Sequence, residues 1–260
     1  MSKNFVLLSS RILVDAHEAA GGVVVRNGKI ERVVGRSEIP DGLEQVDVGN
    51  KVIMAGLVDT HAHINEPGRT EWEGFETATQ AAASGGITTV IDMPLNSIPP
   101  TTTVPNLDAK AKAAAGRCAI DYGFWGGLVP GNSNQLEGLA HAGVKGFKCF
   151  LIESGVDEFK CVGEKDLLEA MPLIAKTGLP LIVHAELDQG APAGGDPREY
   201  RTYLNSRPRA WENAAVKLMI ELSRRTGCRA HIVHLSSSEA LAPLAEAQAQ
   251  GVPITAETCP

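Results

Sequence analysis

From residue 52 onward, short apolar runs alternate with helix-patterned stretches. This alternation narrows the possible folds more than any other feature of the chain. The runs are Val52–Asp59, Thr88–Met93, Ile120–Val129, Val144–Leu151, Leu179–His184, Ala230–Leu235 and Val252–Ala256. Helix patterns lie between them at Glu73–Ala83, Leu107–Ala115, Glu164–Lys176, Glu212–Thr226 and Ser238–Gln250. Repeated strand–helix units predict a mostly parallel sheet covered by helices. No G-x-G-x-x-G follows the first run, so a dinucleotide-binding fold has no support.

Polar, reactive side chains recur at or just after the C-terminal ends of these runs: His61, His63, Asp92, Lys148, His184 and His234. A (β/α)8 barrel builds its active site from the ends of several strands in this way. Seven runs are one too few to close such a barrel, and an open barrel would leave two unpaired edges. The expected architecture is therefore an α/β, TIM-like (β/α)8 barrel truncated after about seven strands, in a chain that is the front part of a longer protein. A seven-stranded variant or an open doubly wound sheet is the alternative.

Residues 1–52 read differently and set the expected domain boundary, with the barrel over 53–260. Phe5–Leu8, Gly22–Val25, Ile30–Val34 and Val46–Val48 are strand signals, and Asn27-Gly28 is a hairpin signal between two of them. The pattern suggests a small antiparallel sheet. The N-terminus lacks an apolar core with a small-residue cleavage site, so a signal peptide is not expected. No apolar run reaches the length of a membrane span.

Charge argues against nucleic acid as a partner. The chain carries 24 Lys and Arg against 31 Asp and Glu, a net charge of -7, and no basic stripe with interleaved aromatics. Arg224, Arg225 and Arg229 read as a solvated helix end. The five cysteines are widely spaced and odd in number. They make no disulfide framework, which is the pattern of a reducing cytoplasm.

His61 and His63 follow an apolar strand two residues apart, so both imidazoles leave one face and can approach one metal. A pair alone is weak evidence, and a lone strand-end histidine is more often a hydrogen-bonded core residue. His184 and His234 at later strand ends strengthen the metal reading. Lys148, inside Gly146–Phe150, is costly in a packed strand unless paired. It is either a lysine snorkelling at the barrel mouth or an amine directed into the histidine cluster. In the second case carbon dioxide could convert it to a carbamate bridging two metals, with a hydroxide aimed at a carbonyl carbon. His231, three residues before His234, is expected on the opposite face with a structural role. His17 and His141 read as solvated or locally bonded, Cys149 and Cys161 as packing residues, and Glu186 as either a ligand-orienting group or half of a rim salt bridge.

The stretch Gly56-Leu57-Val58-Asp59-Thr60-His61-Ala62-His63 resembles the first metal-binding motif of the cyclic amidohydrolases, which include dihydroorotases, hydantoinases (dihydropyrimidinases) and allantoinases. The resemblance covers essentially the whole chain. It implies that the N-terminal sheet is part of a small β-sandwich. It also implies that His61, His63, Lys148 as a carboxylated lysine, His184 and His234 hold two divalent metal ions. Zinc is the expected metal, with cobalt, iron or manganese as alternatives.

The family's general-base Asp has no match here and is expected beyond residue 260, so residues 1–260 alone are expected to be inactive. Asp92–Ser97, Gly146–Phe159 and Arg207-Pro208 with Trp211-Glu212 resemble the allantoinase branch. Asn65 before Glu66-Pro67-Gly68 departs from the dihydroorotase pattern, whose Arg there grips the substrate carboxylate, and Leu95 stands where that pattern has Asn after Met-Pro. The implied reaction is opening of allantoin to allantoate in purine catabolism, with a hydantoinase-like activity or an inactive fragment as alternatives. Asn65–Arg69 and Leu95–Thr103 are expected to shape the pocket. The expected setting is cytoplasmic, with allantoin as small-molecule partner, no nucleic acid, no membrane, and a homotetramer or homodimer at full length.

Overall fold

The computed structural model describes residues 4–190 and 194–259. Residues 1–3, 191–193 and 260 lie outside it, including the start of the stretch read for a leader. The chain divides into two compact units, 1–57 and 58–260.

The first unit is one five-stranded sheet, the expected N-terminal β-sandwich segment. Its strands are β1 (Phe5–Val14), β2 (His17–Arg26), β3 (Lys29–Gly35), β4 (Glu44–Asp47) and β5 (Val52–Ile53). The order is β3-β2-β1-β4, with β5 also on β1. Asn27 and Gly28 have φ of 53° and 76° and join Arg26 to Lys29, the doubly left-handed turn that Asn-Gly favours. Asp15 and Ala16 make a similar turn without glycine, which is why the β1–β2 hairpin was less legible. The sheet is mixed rather than antiparallel as expected: β4 and β5 run parallel to β1. Strand signals fix extended segments but not direction, and the connection over 36–43 brings the chain back so that β4 runs the same way as β1. Val6, Leu8, Val24 and Val34 form its core.

The second unit alternates strand and helix. Its elements are β6 (Leu57–Ala62), α1 (Phe75–Ser84), β7 (Ile87–Asp92), α2 (Val104–Ala114), β8 (Asp121–Phe124), β9 (Gly126–Gly127) and α3 (Leu136–His141). There follow β10 (Phe147–Phe150), α4 (Glu164–Thr177), β11 (Leu181–His184), α5 (Tyr200–Ser206), α6 (Arg209–Thr226), β12 (Ala230–Ile232), α7 (Leu241–Ala249) and β13 (Ile254–Ala256). The Val52–Asp59 run is thus shared, its first residues pairing in the first sheet and its last forming β6. β8 and β9 are one strand interrupted at Trp125, β8 pairing with β7 and β9 with β10. The strands therefore stand side by side in chain order, with parallel ladders from β9 to β13. This is the expected TIM-like architecture.

Alternation along the strands sorts side chains into two layers. Phe147, Cys149, Leu181, Val183, Ala230 and Ile232 face the helices, where they meet Leu167, Met171 and Ile174 of α4 and Val216 and Met219 of α6. Each fully buried Val, Leu, Ile, Phe or Met among them contributes about 1.5–3 kcal/mol of apolar burial. Ile91, Met93, Trp125, Phe150, Ile182 and Val233 form the interior layer. Helix ends follow local chemistry. Gly163 N–H donates to Asp166 Oδ2 at 2.9 Å at the start of α4, and Gly178 and Gly227 close α4 and α6 at φ of 72° and 67°. α3 and α5 are too short, and α5 too exposed, to show a helical apolar stripe.

Candidate metal centre at the strand ends

The five residues singled out as metal ligands lie on four strands or their exits. β6 carries His61, with His63 one residue past its end. β10 carries Lys148, β11 ends at His184, and His234 follows β12. The β10–β11 register pairs Lys148 with Ile182 and Phe150 with His184, so Lys148 and His184 face the interior together.

Ring centroids are 4.7 Å apart for His184 and His234, 5.4 Å for His61 and His234, and 5.6 Å for His61 and His63. His184 Nδ1 lies 3.1 Å from His234 Nε2. Lys148 is 1% exposed, its Nζ sits 4.9 Å from the centre of the Phe150 ring, and among the described residues no hydrogen bond or ion pair reaches it.

Burial lowers the Lys148 ammonium to about 8, with Cys149 and Glu257 opposing. Burial, then the charge of Lys148, lowers His234 to about 4. His63 is lowered to about 4 by burial and by His61 and Lys148, although its ring is exposed at the mouth and water screens part of this effect. His184 is lowered by burial and Lys148, with Glu186 opposing. Burial pushes the Cys149 thiol up to about 12, consistent with a packing residue.

Three features differ from the sequence reading or were missed by it. First, His231 faces the interior, paired with Ile182 and Thr255. His234 turns inward too, because its φ of 41° breaks strand alternation after Ile232, so odd spacing no longer separates the two faces. The turn that follows is held by Glu212, which accepts from Ser236 N at 2.8 Å and Ser237 N at 2.6 Å.

Second, Glu257 lies two residues beyond Thr255 on the same face. Its Oε1 is 2.9 Å from His61 Nδ1 and its Oε2 is 3.5 Å from His231 Nε2. Burial raises its carboxyl, but the His61 hydrogen bond and the neighbouring histidine charges bring the net shift below the usual value. The i, i+2 spacing of Thr255 and Glu257 at a strand end, matching that of His61 and His63, was the available signal.

Third, the cavity beside His184 and His234, about 460 Å³, is lined by Phe150, Ile152–Ser154, Glu186, Tyr203, Arg207, Ser236 and their neighbours. The segments 65–69 and 95–103 do not line it. They lock onto each other instead: Ile98 N donates to Pro67 O at 2.7 Å, and Arg69 donates to Asn96 O at 2.8 Å and to Glu158. Glu186 joins the rim, 3.4 Å from His184 Nε2 and 3.1 Å from Arg207.

Among the described residues, no set of three or more His, Cys, Asp or Glu side chains closes to metal-holding distance. The donor chemistry nevertheless fits a divalent ion. Imidazoles with depressed pKa values stay neutral at physiological pH and keep a free lone pair, and such nitrogen donors suit borderline transition metals. Among the described residues, no helix is long and apolar enough to cross a membrane.

The chain is similar to known proteins over nearly all of its length. The model of the Amidohydrolase family matches residues 52–260. An allantoinase of Streptomyces avermitilis is 50% identical over 259 residues, 98% of this chain and 58% of that protein. A mitochondrial allantoinase of Aquarana catesbeiana is 46% identical over 260 residues, 99% of this chain and 54% of that protein. The solved structure of an L-hydantoinase (dihydropyrimidinase) from Arthrobacter aurescens superposes with a TM-score of 0.87 at 28% identity, over 98% of this chain and 58% of that one. The chain thus spans little more than half the length of these relatives. With a strand–helix barrel, inward histidines at the ends of β6, β11 and β12 and a family match over the whole barrel unit, the chain belongs to the amidohydrolase family.

Proposed function

We propose that the protein carrying this chain hydrolyses a cyclic amide, with allantoin as substrate and allantoate as product, using divalent metal ions held by His61, His63, Lys148, His184 and His234. The observation that carries the reading is the convergence of these side chains on one barrel end, with a buried lysine amine whose partner among the described residues is the face of the Phe150 ring rather than a carboxylate. High identity to allantoinases over nearly all of this chain supports the substrate.

His61, His63, His184 and His234 would hold the ions, with Lys148 as a carbamate adding oxygen donors to the imidazoles. That group forms when the neutral amine bonds to the carbon of carbon dioxide and loses a proton. The lowered pKa of Lys148 favours the neutral amine this step needs. Divalent ions, zinc foremost and cobalt, iron or manganese otherwise, would lower the pKa of a water and offset charge developing on the amide oxygen. The water oxygen bonds to the ring carbonyl carbon, the ring C–N bond breaks, the nitrogen takes a proton, and the new carboxyl ionises. Ser154, Ser236 and Arg207 offer hydroxyl and guanidinium groups along the cavity for the amide and ureido groups of the substrate.

The test is turnover of allantoin, hydantoin and dihydrouracil by the intact protein. Allantoin is expected to be the preferred substrate. Preference for hydantoin or dihydrouracil would transfer the assignment to the hydantoinases, to which the L-hydantoinase fold likeness also points.

A further inference from the structure

We infer that Glu257 is a positioning residue, which fixes the ring of His61 so that its Nε2 faces the site, and that His231 and Thr255 anchor it there. The inference rests on the proposed role of His61 as a metal ligand. Glu257 sits on a rigid element: its N–H donates to Ile232 O at 2.9 Å and its carbonyl accepts from Leu235 N at 2.7 Å, so both sides of its backbone are tied to the exit of β12.

An ionised carboxylate only accepts hydrogen bonds. His61 Nδ1, 2.9 Å from Oε1, must then carry the proton, which leaves the Nε2 lone pair free. The other oxygen lies 3.5 Å from His231 Nε2, and His231 Nδ1 lies 2.7 Å from Thr255 Oγ1. The line Thr255–His231–Glu257–His61 therefore ties β13 and β12 to β6 through inward side chains. It gives His231 a part in the site that its strand position alone does not suggest. Carboxylates behind metal-binding histidines set tautomer and ring orientation, and their loss typically weakens metal binding by about 10–100-fold.

The experiment compares the intact wild-type protein with the Glu257→Ala, Glu257→Gln and His231→Gln variants. Long-range ¹H–¹⁵N spectra of metal-free, histidine-labelled protein read the His61 tautomer. Competition with a chromogenic chelator reads Zn²⁺ affinity. In wild type and Glu257→Gln, whose amide oxygen still accepts, His61 should be protonated on Nδ1. In Glu257→Ala it should shift toward Nε2 protonation, and Zn²⁺ affinity should fall about 10–100-fold, with partial rescue in Glu257→Gln. His231→Gln should give a smaller effect of the same sign. If Glu257→Ala does not fold, the Gln variants carry the test, and unchanged Zn²⁺ affinity in both overturns the inference. An unchanged His61 tautomer in folded Glu257→Ala also overturns it. Failure of wild-type protein to bind Zn²⁺ at all would instead count against the proposed function, and the metal-free spectra separate the two failures.

Discussion

Lys110 Nζ lies 2.6 Å from Asp92 Oδ2, and both side chains are out of contact with solvent. The pair joins α2 to the end of β7. Asp92 Oδ1 also accepts from Ile64 N at 2.6 Å, and Lys110 donates to Met93 O at 2.8 Å. The backbone just after His63 is thereby pinned to the neighbouring strand by a charge pair buried between β7 and α2. Burial pushes the Asp92 carboxyl up to about 6, against the pull of Lys110, so the carboxylate depends on its partner.

Removing only Lys110 should therefore be costly. Lys110→Met is expected to destabilise the protein by about 3–5 kcal/mol, because it strands a buried carboxylate. Lys110→Met with Asp92→Leu should cost less than the single change. Urea unfolding of the three proteins checks this, and a single variant as stable as wild type would show that the pair is dispensable.

His234 and His63, lowered to about 4, set a pH dependence for metal-free protein. Unfolded histidine titrates near 6.5. Between the two values the unfolded chain binds protons that the folded protein refuses. The contribution of these groups is complete above about pH 6.5 and is lost as pH falls toward about 4. Unfolding midpoints of metal-free protein should drop over this window. His234→Asn, which tolerates the left-handed backbone at that position, should show a shallower drop. Equal slopes for the two proteins would contradict the assignment.

Much of this site was legible in the sequence because metal-type residues at strand ends follow strand periodicity. His61, His63, Lys148 and His184 needed only alternation and the positions of apolar runs. Glu257 was hidden because β13 is three residues long, and a glutamate beyond so short a run reads as surface. The inward placement of His231 alongside His234 needed the left-handed backbone at His234, which nothing local demands, since Leu235-Ser236-Ser237 shows no glycine. That geometry depends on Glu212, more than twenty residues upstream. The parallel pairing of β4 and the short helices α3 and α5 were hidden for a similar reason: long-range pairing and exposed single turns leave no periodic trace.

Glu212→Ala should loosen the turn that orients His234. It leaves the N–H groups of Ser236 and Ser237 without their acceptor, at an expected cost of about 1–3 kcal/mol. The unfolding midpoint and the Zn²⁺ affinity should fall together. A variant that loses neither would show that the turn holds itself.

Arg69 links the segment after β6 to Asn96 and Glu158, and its guanidinium stacks 5.0 Å from the Trp72 ring centre. Glu158 is held below the usual carboxyl value by the Arg69 hydrogen bond. It lies on the loop whose Ile152–Ser154 portion lines the cavity. Arg69→Met should raise KM for allantoin by more than it lowers kcat, because it frees a cavity wall without touching the proposed metal ligands. Steady-state kinetics read the split, and a fall confined to kcat would place Arg69 in the chemical step instead.

The role of Lys148 decides whether this barrel end is a metal site. The intact wild-type protein and Lys148→Met should be compared for metal content and allantoin turnover, with thermal unfolding as a check on folding. Wild-type protein should hold about two divalent ions per chain and hydrolyse allantoin rapidly. Lys148→Met should fold, since a buried amine without a carboxylate partner is replaced by an apolar chain of similar length, and should show reduced metal content and turnover at or near background. A folded Lys148→Met protein with wild-type metal content and turnover would show that Lys148 has no part in holding the metal ions or in the reaction.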